Sequence, residues 1–425
     1  MMTRTVALLA AIGLAATAGA GTVAEWTFDA KGAPQATGGG LTLVWQTNGT
    51  YSCAALRVSD RALGPAEFLN RGKPAAGMPP PPSVPGILYP DLEFARLPFN
   101  NPGTVEVGCG YLGRATPVDA DGDGDWDIIA GNSGGYIVFI ENLSGPGVEY
   151  PRWAEPKLIT VKHPERCKVA KWLKGNVIHS WCGDENSPQG PAEAKWGYTV
   201  CSVADWDGDG YLDIIANDVK GSVVFIRNPG RKGTTVMEVP RAVEVEWNGK
   251  QPTFEWEWRK PTGKVLRAPW RTTPIAYDWT GDGLVDLIML DHEGIIVLYE
   301  RAKRGGKLIL KHPRRIFIDM KGNPIKLSYG PRGGNGRRKM CITDWNGDGK
   351  LDIVVGDRNA AVLINRGKTA NGCTRFEQSP NVAEKQLAGH TCCPSVCDFN
   401  ADGVPDLCIG AEDGHFYYFR HRKQN

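Results

Sequence analysis

The sequence predicts an all-β protein assembled from a repeated β unit, and three observations lead there. A nine-residue Asp/Gly-rich loop recurs five times in one register between Asp119 and Asp406, and self-similarity of this kind marks a repeat architecture. Each copy is followed by two short apolar runs, as in Ile128-Ile129 and then Tyr136 to Ile140, the pattern of strands separated by turns. Glycine supplies 53 and proline 30 of 425 residues, above the usual abundance of both. With 41% hydrophobic residues and 14 Trp the chain still has material for a core, so the excess marks turns in a folded protein. The formal net charge of +2 gives no global field to hold nucleic acid or an anionic membrane, and any electrostatic function is local.

Residues 1–20 read as a signal peptide. Arg4 precedes the apolar run Val6 to Ala16, and Ala18-Gly19-Ala20 is a small-x-small cleavage pattern. Cleavage near Ala20 predicts a secreted or periplasmic protein, in a compartment where disulfides persist. No later stretch approaches the roughly 18 apolar residues of a membrane span. Eleven cysteines leave at least one unpaired. Cys167 and Cys182 bracket a polar excursion and are the expected bridge, whereas Cys201, Cys341, Cys397 and Cys408 lie in strand-like runs and are expected as buried thiols. No C-x-x-C pair exists, which argues against structural zinc.

The loops carry the strongest chemistry. Oxygen ligands recur at positions one, three, five and nine: Asp119, Asp121, Asp123 and Asp127, then Asp205, Asp207, Asp209 and Asp213. The third copy has Asp278, Asp282 and Asp286 with Thr280 at position three, and its site is expected to be the weakest. The last two are Asp344, Asn346, Asp348 and Asp352, and Asp398, Asn400, Asp402 and Asp406. Hard oxygens at alternate positions, with glycines that let backbone carbonyls turn inward, suit a structural Ca²⁺ better than Mg²⁺, which demands stricter octahedral geometry. An EF-hand is excluded, because no Glu stands at position twelve and strand-like runs flank the loop.

The five DxDxDGxxD-type copies resemble FG-GAP/VCBS repeats, the blades of calcium-loop β-propellers. The resemblance implies a β-propeller over residues 87–425, built of four-stranded blades in which each loop joins the innermost strand to the second. The first aspartates at 119, 205, 278, 344 and 398 are separated by 86, 73, 66 and 54 residues. Dividing the mature length by the shortest interval gives an expectation of seven blades, inside the usual range of about four to eight. The longer intervals then hold insertions or a blade without a loop. Too little chain follows Asp398 for a whole blade, so an N-terminal strand is expected to complete the last sheet and close the ring. Residues 21–76 hold a β segment: Ala24 to Asp29 and Leu56 to Phe68 resemble the opening and closing pieces of a laminin-G/concanavalin-like sandwich, too close together for a whole one. Residues 77–86 form a proline-rich, extended linker. The chain is read as a monomer.

If the loops sit where innermost strands end, the residues where those strands begin line the opposite mouth. Seven or eight positions before each first aspartate stand Tyr198, Arg271, Arg337 and His390, with Trp196 and Trp270 beside them and His179 in the preceding polar excursion. Paired guanidiniums suit a carboxylate, Tyr and His can move a proton near neutral pH, and indoles can stack on sugar rings. The calcium-loop propellers also resemble secreted polysaccharide lyases, including ulvan lyases, and related glycoside hydrolases. That resemblance implies β-elimination on a uronate-containing polysaccharide, with Arg271 and Arg337 neutralising the carboxylate, His390 or His179 as base and Tyr198 as acid. The alternative is a non-catalytic glycan-binding or adhesion propeller, as in integrin heads. Asp184 and Glu185 offer a third route through carboxylate-pair hydrolysis.

Overall fold

The computed structural model describes residues 114–148, 151–182, 196–252, 263–328, 336–382, 387, 391–410 and 416–421, together with four N-terminal strands. The chain divides into two compact units, residues 1–80 with 93–95, and residues 81–92 with 96–425. The first contains two antiparallel hairpins, Glu25–Phe28 with Pro34–Thr37 and Thr42–Trp45 with Tyr51–Ala55, inside the segment read as an N-terminal β region. The signal peptide, the proline-rich linker and the N-terminal strand expected to close the last sheet lie outside the described residues.

The second unit is all-β apart from one short 3-10 turn among the described residues. Its sheets have three to five strands and repeat as blade-like units. Five of them begin with an antiparallel hairpin around one Asp-rich loop: Arg114–Val118 with Asp127–Gly131, Val200–Ala204 with Asp213–Asn217, Ile275–Tyr277 with Asp286–Leu290, Lys339–Thr343 with Asp352–Gly356, and Cys393–Cys397 with Asp406–Gly410. In all five the residue before the first aspartate faces the aspartate at position nine, as in Val118↔Asp127 and Thr343↔Asp352. A third strand follows in each, Ile137–Ile140, Val223–Ile226, Ile296–Tyr299, Ala360–Lys368 and Phe416–Phe419. The second strands are buried along their whole length, because the blades cover both of their faces.

The first strands lie side by side in the order one to five, and the fifth lies directly against the first. Among the described residues five units close on themselves, in place of the seven expected from chain length. Apolar layers fill the spaces between neighbours, joining Ile129 and Phe139 to Cys201 and Ile214, Ile215 and Val223 to Leu287 and Met289, and Ile288 and Leu298 to Ile353 and Phe376. A further layer joins Ile128 and Ile140 of the first unit to Cys408 and Tyr418 of the last, with the Trp126 indole donating to the Asp398 carbonyl at 2.8 Å. Closure leaves no exposed edge between last and first.

Chain length overestimated the count because the longer intervals hold inserted strands, not extra blades. After each of the first three units the chain lays a short strand parallel to an outer strand of the next. Thr160–Val161 pairs with Val236–Met237, Val245–Glu246 with Lys307–Lys311, and Phe317–Asp319 with Thr374–Asn381. These straps tie neighbours together at the rim, as the apolar layers do nearer the axis.

The expected Cys167–Cys182 bridge is not formed. Cys167 Sγ faces the carbonyls of Val169 and Pro240, while Cys182 is buried with Val219 and Trp270. Cys201, Cys341, Cys397 and Cys408 are buried thiols, as expected of small side chains in interior strands.

Candidate functional site

At the start of the first strands the backbone folds into an uncommon conformation. Tyr198 and Arg271 occupy equivalent positions, seven residues before Asp205 and Asp278, and both have left-handed φ, +46° and +61°. Side chains rarely adopt this region, and such strain gathers at ligand clamps. In the fourth unit the kink falls on Gly336 (φ +57°), where a Cβ would stand 2.4 Å from the Trp270 carbonyl. Only glycine lets the fourth unit approach the third this closely.

The kinks bring the predicted residues together. The Arg271 guanidinium lies over the Tyr198 ring at 3.4 Å and over the Trp270 ring at 3.8 Å. Trp196 stacks on Tyr198 at 5.9 Å, and Trp270 meets Tyr198 edge-on at 6.3 Å. Arg271 is 3% exposed and Trp270 4%, while Trp196 and Tyr198 are half-buried. Trp270 is thus a support behind the guanidinium and not the sugar platform expected of it; Tyr198 is covered by the same guanidinium, which leaves the half-buried Trp196 as the aromatic candidate.

Sequence reasoning missed Lys339. It is 1% exposed and begins the fourth unit's first strand, five residues before Asp344, the register that Arg114 holds before Asp119. The Lys339 ammonium donates to the Arg271 carbonyl, with the Gly336 carbonyl at 3.5 Å. Burial drives its pKa down to about 7; the Cys393 thiol pulls up, while Arg271, Arg114 and Arg337 push down. Arg114, also buried, donates to the Cys201 carbonyl and to Thr116 Oγ1 at 3.2 Å. Arg337 belongs to the same cationic group, whereas its neighbour Arg338 turns to Asp357 at 2.7 Å. The signal for Lys339 was present in the sequence: aligning the first strands on their loops puts Lys339 and Arg114 at one level of the ring.

His179 does not join this group as a base. Its ring is packed between Tyr136 (4.2 Å) and Trp181 (5.4 Å), and Nε2 meets the Gly134 carbonyl at 2.9 Å. Burial lowers its pKa to about 4, so it is neutral at physiological pH. The strand it ends is nonetheless close to the site: Ser180 Oγ bonds Thr199 Oγ1 at 2.7 Å, and the Cys182 N–H donates to the Trp196 carbonyl at 2.8 Å. At Gly197 a Cβ would meet the Ser180 carbonyl at 2.2 Å, so a glycine there lets the excursion dock. His390, Asp184 and Glu185 lie outside the described residues.

The loops occupy the other end of the first strands, about 20 Å away at roughly 3.3 Å per residue. Two clusters could hold a divalent ion: Asp119, Asp121 and Asp123, and Asp205, Asp207 and Asp209 have carboxylate oxygens converging within 4.8 Å. In the first, the buried Asp125 keeps Oδ1 without a hydrogen-bond partner beside Asp123, so a cation fits the donor set. The position-one carboxylate curls each loop by accepting its N–H groups: Gly208, Asp209 and Gly210 donate to Asp205, Gly281 and Gly283 to Asp278, Asp348 and Gly349 to Asp344, and Asp402 and Gly403 to Asp398.

Position nine has a role the sequence did not disclose. Asp127, Asp213, Asp286 and Asp352 are buried, and each receives the N–H of the position-two residue on Oδ2 at 3.0–3.1 Å. Their Oδ1 atoms receive the N–H of Asn142, Asn228, Arg301 and Asn365 at 2.7–2.9 Å, and Asp406 receives that of His421 at 2.9 Å. These carboxylates clamp the loop to the end of the third strand. The clamp also fixes the position-two side chain, and Trp206, Trp279, Trp345 and Phe399 fill the space toward the following unit.

Residues 344–423, the fourth and fifth units, match the FG-GAP-like repeat family. No curated protein matches the chain. Among solved structures, the TcdB2-TccC3-Cdc42 complex is 14% identical with a TM-score of 0.34, over 78% of this chain and 15% of that one, so this chain spans a small part of that protein's length. An Agrocybe aegerita lectin recognising non-reducing terminal N-acetylglucosamine is 16% identical with a TM-score of 0.33, over 73% of this chain and 80% of that one. Likenesses at this level carry no argument, and the functional reading rests on the site. What is established is an all-β ring of blade-like units whose fourth and fifth members are similar to FG-GAP-like repeats.

Proposed function

We propose that this protein is an exported five-bladed propeller that binds, without cleaving, a glycan bearing carboxylate or sulfate groups. The observation that carries the reading is the Arg271 guanidinium held between Tyr198 and Trp270 in a strained backbone, beside Lys339 and Arg337. A planar, pre-oriented guanidinium accepts an oxyanion in a forked geometry at little entropic cost. The half-buried Trp196 ring, stacked on Tyr198, offers an apolar face to a sugar ring. Binding is favoured over elimination by His179, whose packed ring and carbonyl-bound Nε2 stand apart from Tyr198 and Arg271. His390 is then the residue on which a lyase would depend.

Calcium is assigned to structure, at the first loop above all, where Asp119, Asp121, Asp123 and Asp125 would hold it. The ion would lock the turn and add stability by mass action. The test is titration calorimetry against uronate-containing, sulfated and neutral polysaccharides, with ultraviolet absorbance of an unsaturated uronate followed in parallel. Saturable binding to the acidic glycans without new absorbance is the expected result. Product formation abolished by His390→Ala would replace the binding reading with the lyase one, and no binding to any glycan would remove both.

A further inference from the structure

One residue of each unit, just after the third strand in four units and within it in the fourth unit, stands beside its own loop, because the next N–H in the chain is the one clamped by the position-nine aspartate. One step back from those donors, the five units place Glu141, Arg227, Glu300, Ile364 and Arg420 in one register. The position therefore carries an acid, a base or an apolar group according to the unit.

In the second unit the base fills the loop. Arg227 Nε lies 2.6 Å from Asp207 Oδ2, Nη2 bonds Asp209 Oδ2, and Nη1 is 3.3 Å from Glu238 Oε1, itself paired with Arg241. The other nominal ligands are engaged within the blade. Asp205 accepts three loop N–H groups, and Asp213 accepts those of Trp206 and Asn228. In the first unit Glu141 takes the place of Arg227 and pairs with Lys157 at 2.7 Å. Among the described residues no ion pair reaches Asp119, Asp121 or Asp123, although Lys232 lies over Gly122. In the fifth unit Arg420 lies 3.3 Å from Asp402 Oδ2.

We infer that Arg227 is the built-in cation of the second loop: its guanidinium takes the place of a divalent ion between Asp207 Oδ2 and Asp209 Oδ2 and leaves Asp207 Oδ1 as the loop's buried oxygen without a hydrogen-bond partner. The identity of the residue in this register then decides which of five similar loops takes an ion. A tethered guanidinium needs no diffusional encounter and matches carboxylates in a forked geometry, whereas Ca²⁺ must shed water and gather about six to eight oxygens, two carboxylates of which Arg227 has claimed. The contrast between loops rests on the calcium reading of the first loop, and the experiment separates the two.

The number of Ca²⁺ ions bound per full-length chain is measured by equilibrium dialysis for the wild type, Asp121→Asn, Asp207→Asn and Arg227→Gln. The inference expects Asp207→Asn to bind as many ions as the wild type and Arg227→Gln to bind one more. It is overturned if Asp207→Asn binds one fewer, or if folded Arg227→Gln gains none. Asp207→Asn decides alone if Arg227→Gln does not fold. A wild type that binds no Ca²⁺, or an Asp121→Asn that loses none, removes the calcium reading of the first loop while a gain in Arg227→Gln still supports the inference.

Discussion

Replacing Asp352 by alanine isolates the clamp from any metal. The carboxylate is fully buried, receiving the Trp345 N–H at 3.0 Å on Oδ2 and the Asn365 N–H at 2.7 Å on Oδ1. Alanine leaves two buried backbone donors without their acceptor, each costing roughly 1–3 kcal/mol, and partial entry of water holds the expected total to about 3–5 kcal/mol. The same change at Asp348 removes an exposed carboxylate whose side-chain partner is Lys350, and no measurable change is expected without metal. The assay is urea unfolding followed by tryptophan fluorescence, run in excess chelator, with the denaturant slope checked for constancy. Two indoles near the clamp, Trp345 and Trp279, pack in neighbouring interfaces and report its loss. If Asp352→Ala costs no more than Asp348→Ala in chelator, and a penalty emerges only when Ca²⁺ is added, position nine is a metal ligand and the clamp argument is wrong.

Arg271→Lys keeps a positive charge but loses the planar stack on Tyr198 and the forked geometry; losing about 1.5–3 kcal/mol predicts a rise of roughly tenfold or more in Kd for an acidic glycan by calorimetry. His179, with a folded pKa of about 4 against an unfolded value near 6.5, is a neutral buried group, so the unfolded chain binds more protons between these limits and stability falls as pH drops from 6.5 toward 4. His179→Phe should flatten that part of the stability–pH profile, and an unchanged slope would reassign the acid sensitivity to other groups. Gly336→Ala puts a Cβ 2.4 Å from the Trp270 carbonyl at a left-handed φ; about 2 kcal/mol or more of stability should be lost in thermal unfolding.

Much of the ring was legible because it repeats. Aspartates at fixed offsets, a glycine at position six in every copy and two apolar runs after each loop placed the hairpins to within a residue or two, since register in a half-buried strand is set by its apolar face. The same alignment brought Tyr198 and Arg271 together, because equivalent positions of a closed ring face a common axis. What failed depended on contacts distant in sequence. The blade count assumed uniform units, yet Thr160–Val161 and Val245–Glu246 serve as straps. Arg227 reaches Asp207 across twenty residues, and nothing local to a DxDxDGxxD motif records that. His179 read as a base until Tyr136 and Trp181 enclosed it, and Trp270 read as a platform until Arg271 covered it. A polar side chain's role depends on what covers it, which sequence order does not give.

The near-neutral net charge invited a picture of two opposed fields, carboxylates at the loops and guanidiniums at the other mouth. The structure changes its balance. At the loop end cations are supplied locally, by Arg227 on Asp207 and Asp209, Lys350 on Asp348 and Arg420 on Asp402, so that face projects less negative potential than its aspartates imply. At the axis the partners of Lys339 are carbonyl oxygens, of Arg271 and Gly336, which orient an ammonium without cancelling its charge. Arg114 likewise donates to the Cys201 carbonyl. Buried cations satisfied by dipoles keep their field, and low-dielectric surroundings extend it. The depressed pKa of Lys339 is the cost of that arrangement, and an oxyanion at Arg271 would offset it. The strained backbone at Tyr198 and Arg271, the glycine at 336 and the buried lysine are four local penalties in one small region. Their convergence at this mouth, and not at the loops, is what the proposed glycan site rests on.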